Sequence, residues 1–196
     1  MTDRTAGGRG QRRPEEKRAR LLAAARIAFG QIGYGASVHE ICQAAGVGIG
    51  TFYHQFPDKS DLMRFLMDEE HQFRVRAFDA LAANGADDLA SEVARVLAGS
   101  DPALLRAMTE AYGIDERLRD FARTLRVDSR GRLAAALARA RKARDIRSPA
   151  LNPDTAAWAI LLLGDVAIDR SGSDDLHKVV EVLAFAGADD VRRIRA

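Results

Sequence analysis

The stretch from Ser37 to Phe56 allows few folds, because a glycine divides its helical pattern into two short pieces. Ser37 suits the N-cap of the first piece, since its hydroxyl can accept a bond from a free N–H of the opening turn. Val38, Ile41, Cys42 and Ala45 then recur at helical spacing and define an inner face. Gly46 stops the helix after about two turns, Val47 follows as an apolar plug, and a second helix runs from about Gly48 to His54 with Phe52 and Phe56 inward. Ala45 and Gly46 sit where the two axes cross: small residues permit the approach, and glycine tolerates the positive φ of the turn. This is the pattern of a helix-turn-helix.

The flanks are helical too. Pro14, followed by Glu15 and Glu16, is a helix-start signal, since the missing N–H is not needed there and carboxylates favour the positive end of the helix dipole. Leu21, Leu22, Ala25, Ala28, Phe29 and Ile32 form its apolar stripe, and Gly33 ends it. Asp58, with Asp61 three residues on, caps a longer helix through Leu62, Phe65, Leu66, Phe73, Ala77 and Leu81, which fades at Asn84-Gly85. Further helical stretches are expected at about 87–98, 102–112, 116–144, 154–170 and 174–187, with Gly131 a possible kink in the longest. No strand pattern competes. The chain is therefore expected to be all-α: a flexible basic arm (1–13), a helix-turn-helix domain (14–60) and a larger helical domain (61–196).

Composition narrows the function. The longest apolar run, Ala156 to Ala167, is interrupted by Gly164 and Asp165 and falls short of the ~20 residues of a membrane span. The polar, Arg-rich start has no apolar signal core, so the expected compartment is the cytoplasm. The single cysteine, Cys42, cannot make an internal disulfide or a cysteine metal cluster, and reads as a small buried hydrophobe. Through Ser60 there are nine Lys/Arg against five Asp/Glu, so this end carries +4 of a net +2 chain. Positive charge at the helix-turn-helix end suits a phosphate backbone. The four histidines, His39, His54, His71 and His177, are widely spaced, and no phosphate loop, metalloprotease motif or nucleophile elbow is present. An enzyme is thus disfavoured, and no cofactor or metal is expected.

In a helix-turn-helix the second helix enters the major groove, its N-terminal residues meeting base edges while neighbours hold phosphates. The outward positions Gly48, Ile49, Gly50, Thr51, Tyr53 and His54 suit that geometry. The glycines let the backbone approach closely, Thr51 and Tyr53 can donate to phosphate oxygens, and His54 can reach a base or a phosphate.

The segment LLAAARIAFGQIGYGASVHEICQAAGVGIGTFYHQFPDKSDL (Leu21 to Leu62) resembles the DNA-binding region of TetR-type regulators. It has their Ala-Ala-x-x-x-Phe helix, Ala-Gly-Val turn, Gly-Thr-x-Tyr-x-x-Phe recognition helix and following lysine. The resemblance implies that Ser37, Val38 and His39, Gly48 through Thr51, Tyr53, His54 and Lys59 face DNA. Gly48 departs from the serine often found there, leaving that contact to backbone N–H, and Ile49 is apolar where polar base readers can occur.

The same resemblance implies a C-terminal domain for dimerisation and ligand sensing. Dimer contacts are expected from Trp158, Leu162, Asp165 and Val166 on one helix and from Val179, Val182, Leu183, Phe185 and Ala186 on the last, both having apolar residues on more than one face. Phe73, Met108, Tyr112, Phe121, Leu125 and Trp158 are the candidate lining of a pocket for a small hydrophobic or amphipathic effector. The expected partners are a double-stranded inverted-repeat operator, an effector of unknown identity and a second copy of the chain, with no membrane. Control by a protein partner in place of a ligand is the alternative.

Overall fold

The computed structural model describes residues 8–146, 149–167 and 173–187. Over these residues the helices are α1 (Gly8–Ile32), α2 (Val38–Ala45), α3 (Ile49–Gln55), α4 (Lys59–Asn84), α5 (Leu89–Ala98), α6 (Pro102–Ile114), α7 (Glu116–Ala143), α8 (Pro153–Ala167) and α9 (Ser173–Phe185). β-type pairing among the described residues is one isolated bridge, Pro149 to Gly187. The chain is all-α, as the sequence pattern requires. No described helix is long and apolar enough to cross a membrane.

Two compact units emerge. The first combines the chain up to Met67 with Ala103–Phe121, and the second combines Asp68–Pro102 with the residues from Ala122 on. In the first unit α1 packs against α2 and α3, which also touch each other. Leu21, Ala25 and Phe29 of α1, Ile41 and Cys42 of α2, Phe52 of α3 and Leu62, Met63 and Leu66 of α4 are buried. Gly33 turns the chain at φ 82°, a conformation that favours glycine, and a Cβ there would push aside the Glu110 carboxylate that accepts from Tyr34 N–H. The turn carries the preceding Ile32 out of the core, and its side chain is exposed instead of completing the α1 stripe.

A second correction concerns where α1 begins. It starts at Gly8, and Pro14 lies inside it. Proline removes one bond of the ladder, whereas Gln11, Arg12 and Arg13 are good helix formers that favour an earlier start. Residues 1–7 of the expected arm lie outside the described residues.

In the second unit α5 packs against α8 and α9. Phe78, Leu89, Val93, Leu97, Leu133, Leu137, Ile160 and Val180 belong to its core. The buried arc of α4 here runs through His71, Arg74, Val75, Phe78 and Leu81, and Phe73 is exposed. Two buried polar residues interrupt the apolar repeat, which is why a stripe read from apolar residues alone drifts to Phe73. α7 continues helical through Gly131, which is exposed with open space around it.

Candidate nucleic-acid interface

The helix-turn-helix is fixed at both ends of α2. Glu40 N–H donates to Ser37 Oγ at 3.2 Å, while Ser37 N–H donates to Glu40 Oε2 at 2.8 Å, a reciprocal capping box. These bonds hold the Glu40 carboxyl below its ordinary range. At the other end Gly46 adopts φ 62°, ψ 40°, and the N–H groups of Gly46 and Val47 donate to Gln43 O and Cys42 O, both at 3.1 Å. This is a Schellman closure, and the left-handed residue at its centre favours glycine. Cys42 is buried, and burial pushes its thiol up, consistent with a packing role.

α3 follows after two residues. Gly48 is its N-cap and offers no side-chain bond, but its carbonyl accepts from Thr51 N–H at 2.8 Å. Phe52 and Phe56 are buried, their rings 5.9 Å apart, and pin one face of α3 to the core. The opposite face is open: Gly48, Ile49, Gly50, Tyr53 and His54 are exposed and Thr51 is half-buried. Ser37 and His39 are exposed at the start of α2, and Val38 is half-buried there. The expected contact residues on α3 therefore share one accessible helix face, with those of α2 at its capped N-terminus.

Lys59 is held within its own chain. Its ammonium donates to Tyr34 O at 2.7 Å and Ala36 O at 3.3 Å and lies 4.3 Å from the centre of the Tyr34 ring. Burial pushes its pKa below the ordinary value. Lys59 clasps the loop between α1 and α2, whose carbonyl oxygens have no helical partners.

Several supports were not visible to local sequence reasoning. Tyr34 N–H donates to Glu110 Oε2 at 2.9 Å, and Ser60 donates its hydroxyl hydrogen to Asp115. Asp58 caps α4 by accepting from Asp61 N–H at 2.9 Å, as expected, and also meets Arg117 at 2.9 Å. Asp115 in turn accepts from Arg117 N–H at 2.9 Å. The guanidinium of Arg18 lies 4.7 Å from the Phe56 ring and 4.5 Å from the Phe65 ring. Residues 103–121 thus brace the α1–α2 loop and the start of α4. A polar residue on a distant helix gives no periodic signal, and Arg18 on a basic helix reads as surface.

Residues 21–65 match the family model described as "Bacterial regulatory proteins, tetR family". The matched segment, the helix-turn-helix with its flanking helices, is of the TetR type. The match points to a DNA-binding transcriptional regulator. Solved structures extend the likeness of fold beyond the matched segment. Salmonella enterica GusR is 19% identical with a TM-score of 0.68, over 86% of this chain and 91% of that one. The transcriptional regulator FadR of Bacillus subtilis, solved in complex with stearoyl-CoA, is 21% identical with a TM-score of 0.67, over 85% and 97%. A TetR-family member from Streptomyces coelicolor A3 is 25% identical with a TM-score of 0.60, over 85% and 97%. No curated protein matches the chain by sequence.

The residues expected around an effector fall in both units. Met108 is buried in the first unit, Tyr112 is half-buried there, and Phe121 lies 4.6 Å from the Arg64 guanidinium. In the second unit Phe73 is exposed beside Gly99, Leu125 is half-buried, and Trp158 lines a cavity of about 270 Å³. Of the six, Trp158 lines this cavity, together with Arg74, Arg123, Arg126 and Arg130.

Of the expected dimer residues, Trp158, Leu162 and Val182 are exposed, and Val179 and Ala186 are half-buried. Leu183 and Phe185 instead pack on their own chain's core, Phe185 also 3.9 Å from the Arg144 guanidinium. The side chains of Asp165 and Val166 lie outside the described residues.

Proposed function

We propose that this regulator acts as a homodimer on an inverted-repeat operator, with α3 of each copy in successive major grooves about 34 Å apart. The observation that carries this reading is the open face of Gly48, Ile49, Gly50, Tyr53 and His54 on a helix whose opposite face is buried through Phe52. Gly48 and Gly50 allow close backbone approach, Thr51 and Tyr53 donate to phosphates, and His54 reads a base edge or a phosphate. Ser37, Val38 and His39 flank the groove. Lys59 acts indirectly by holding the loop that carries Ser37. The exposed Leu162 and Val182 support a dimer face built from α8 and α9.

The regulator is a cytoplasmic repressor released by a small hydrophobic or amphipathic effector. Such a ligand shifts the equilibrium only by its differential affinity for the two states, a coupling of about 1–3 kcal/mol. FadR of Bacillus subtilis, similar in fold, was solved with stearoyl-CoA, a precedent for a small-molecule effector. Selection of random duplex DNA by the purified protein tests the reading: enrichment of an inverted repeat, weakened by raised salt, is expected. Enrichment of a single half-site would refute the dimer, and no enrichment would refute operator recognition.

A further inference from the structure

The open face of α3 is defined by what it lacks. Three consecutive positions, Gly48, Ile49 and Gly50, carry no side-chain hydrogen-bond donor or acceptor. All three are exposed, and a Cβ built on either glycine would meet nothing within 4 Å. Ile49 therefore projects from between two positions without side chains, 50% exposed. Packing does not account for it. The core of this unit is closed by Phe29, Ile41, Phe52 and Leu62, all fully buried, and Ile49 stays outside. Tyr53 rests edge-on against Phe52 with ring centres 5.3 Å apart. Ile49 and Tyr53 stand four residues apart and so share one stripe of α3, on which Ile49 is the purely apolar member.

An aliphatic side chain cannot hydrogen-bond a base edge or a phosphate. The major groove offers it one apolar feature, the methyl on C5 of thymine, which cytosine and uracil lack and 5-methylcytosine shares. Any polar base edge set against Ile49 would lose its water without gaining a partner. The glycines on either side remove the side chains that would otherwise hold the backbone away from the groove.

We infer that Ile49 reads the 5-methyl group of a pyrimidine, thymine or 5-methylcytosine, once in each half-site, and so sets a methyl-dependent position in the operator. The inference rests on the reading of α3 as the recognition helix and gives a role to its one exposed aliphatic residue. Loss of one buried methyl weakens binding about fourfold, so loss at both half-sites weakens it about fifteenfold.

The full-length protein first selects duplexes from a random pool. The enriched duplex is then remade with symmetric pairs of thymines replaced by deoxyuridine, which removes only the methyl groups. Each duplex is titrated with wild type, Ile49→Ala and Ile49→Val at constant ionic strength, and the melting of each protein is measured alongside. One thymine pair is expected at which uracil weakens wild-type binding about fifteenfold. Ile49→Ala, melting like wild type, should bind that thymine and uracil duplex within about twofold of each other, whereas Ile49→Val, still branched, should keep most of the preference. Cytosine at the same position should bind as weakly as uracil, and 5-methylcytosine should restore the affinity; whether it equals or exceeds thymine identifies which base supplies the methyl. Indifference of wild type to uracil at every thymine would overturn the proposal without any variant. So would an equal uracil penalty in wild type and Ile49→Ala, or cytosine bound as well as 5-methylcytosine. An enriched operator without a methyl-dependent position loses only this contact, whereas failure to enrich any operator refutes the recognition reading itself.

Discussion

The two units use polar residues differently. In the first, the buried positions of α1 to α4 are occupied by apolar side chains, and the charged groups Lys59, Glu110 and Asp115 work from its rim to tie loops and helix starts. In the second, His71, Arg74, Ser100, Ser129 and Arg141 are themselves buried. Arg141 donates to Ala184 O at 2.6 Å and Leu183 O at 3.3 Å at the end of α9, and to Leu151 O at 2.7 Å just before α8. An apolar core suits a part that must present one rigid surface. A buried polar layer instead fixes its helices through directional bonds, each of which must be satisfied.

Substitutions can break that comparison. The largest effect is expected in the first unit, where Phe52→Ala should cost about 3–5 kcal/mol in urea unfolding, since it removes a fully buried ring. A loss below about 1 kcal/mol would mean that its core is not what positions α3. Arg141→Met probes the second unit and should cost about 2–4 kcal/mol, because three carbonyl oxygens lose a charged donor in one step. An unchanged midpoint would show that the polar layer carries no stability.

Smaller effects sharpen the rim. Lys59→Met keeps the aliphatic stem but removes the bonds to Tyr34 O and Ala36 O, and should cost about 2 kcal/mol. The same variant should expose the α1–α2 loop to faster amide exchange, which a lysine directed only at DNA would not produce. Asp115 supplies the pH dependence. The Ser60 hydroxyl, opposed by desolvation and aided by the Leu118 and Arg117 N–H groups, holds its carboxyl below the usual 3.8. Its contribution is therefore complete above that value and lost as pH falls through the lower folded-state pKa. Unfolding followed from pH 7 down to about 3 should show a shallower acid loss for Asp115→Asn than for wild type; parallel curves would remove Asp115 from the account.

The same contrast explains what was legible in the sequence. Ser37, Gly46 and Asp58 act within a few residues of themselves, so their capping roles could be read locally, and Phe52 and Phe56 declared themselves by spacing. Lys59 could not be read this way, because a lysine beside a helix-turn-helix looks the same whether it meets a phosphate or a carbonyl 25 residues away. Glu110 and Asp115 act on the α1–α2 loop and on α4 from far along the chain. In the second unit the buried His71 and Arg74 disguise the inner arc of α4.

The central claim is that the exposed face of α3 reads DNA while its buried face only supports it. Its most direct test is the affinity of Tyr53→Ala for the selected operator duplex, measured beside its thermal midpoint. Tyr53 is 54% exposed, so truncation should leave the midpoint within about 2 °C of wild type while weakening operator binding about tenfold or more. Wild-type affinity in a fully folded Tyr53→Ala protein would contradict the claim and remove the open face of α3 from the recognition surface.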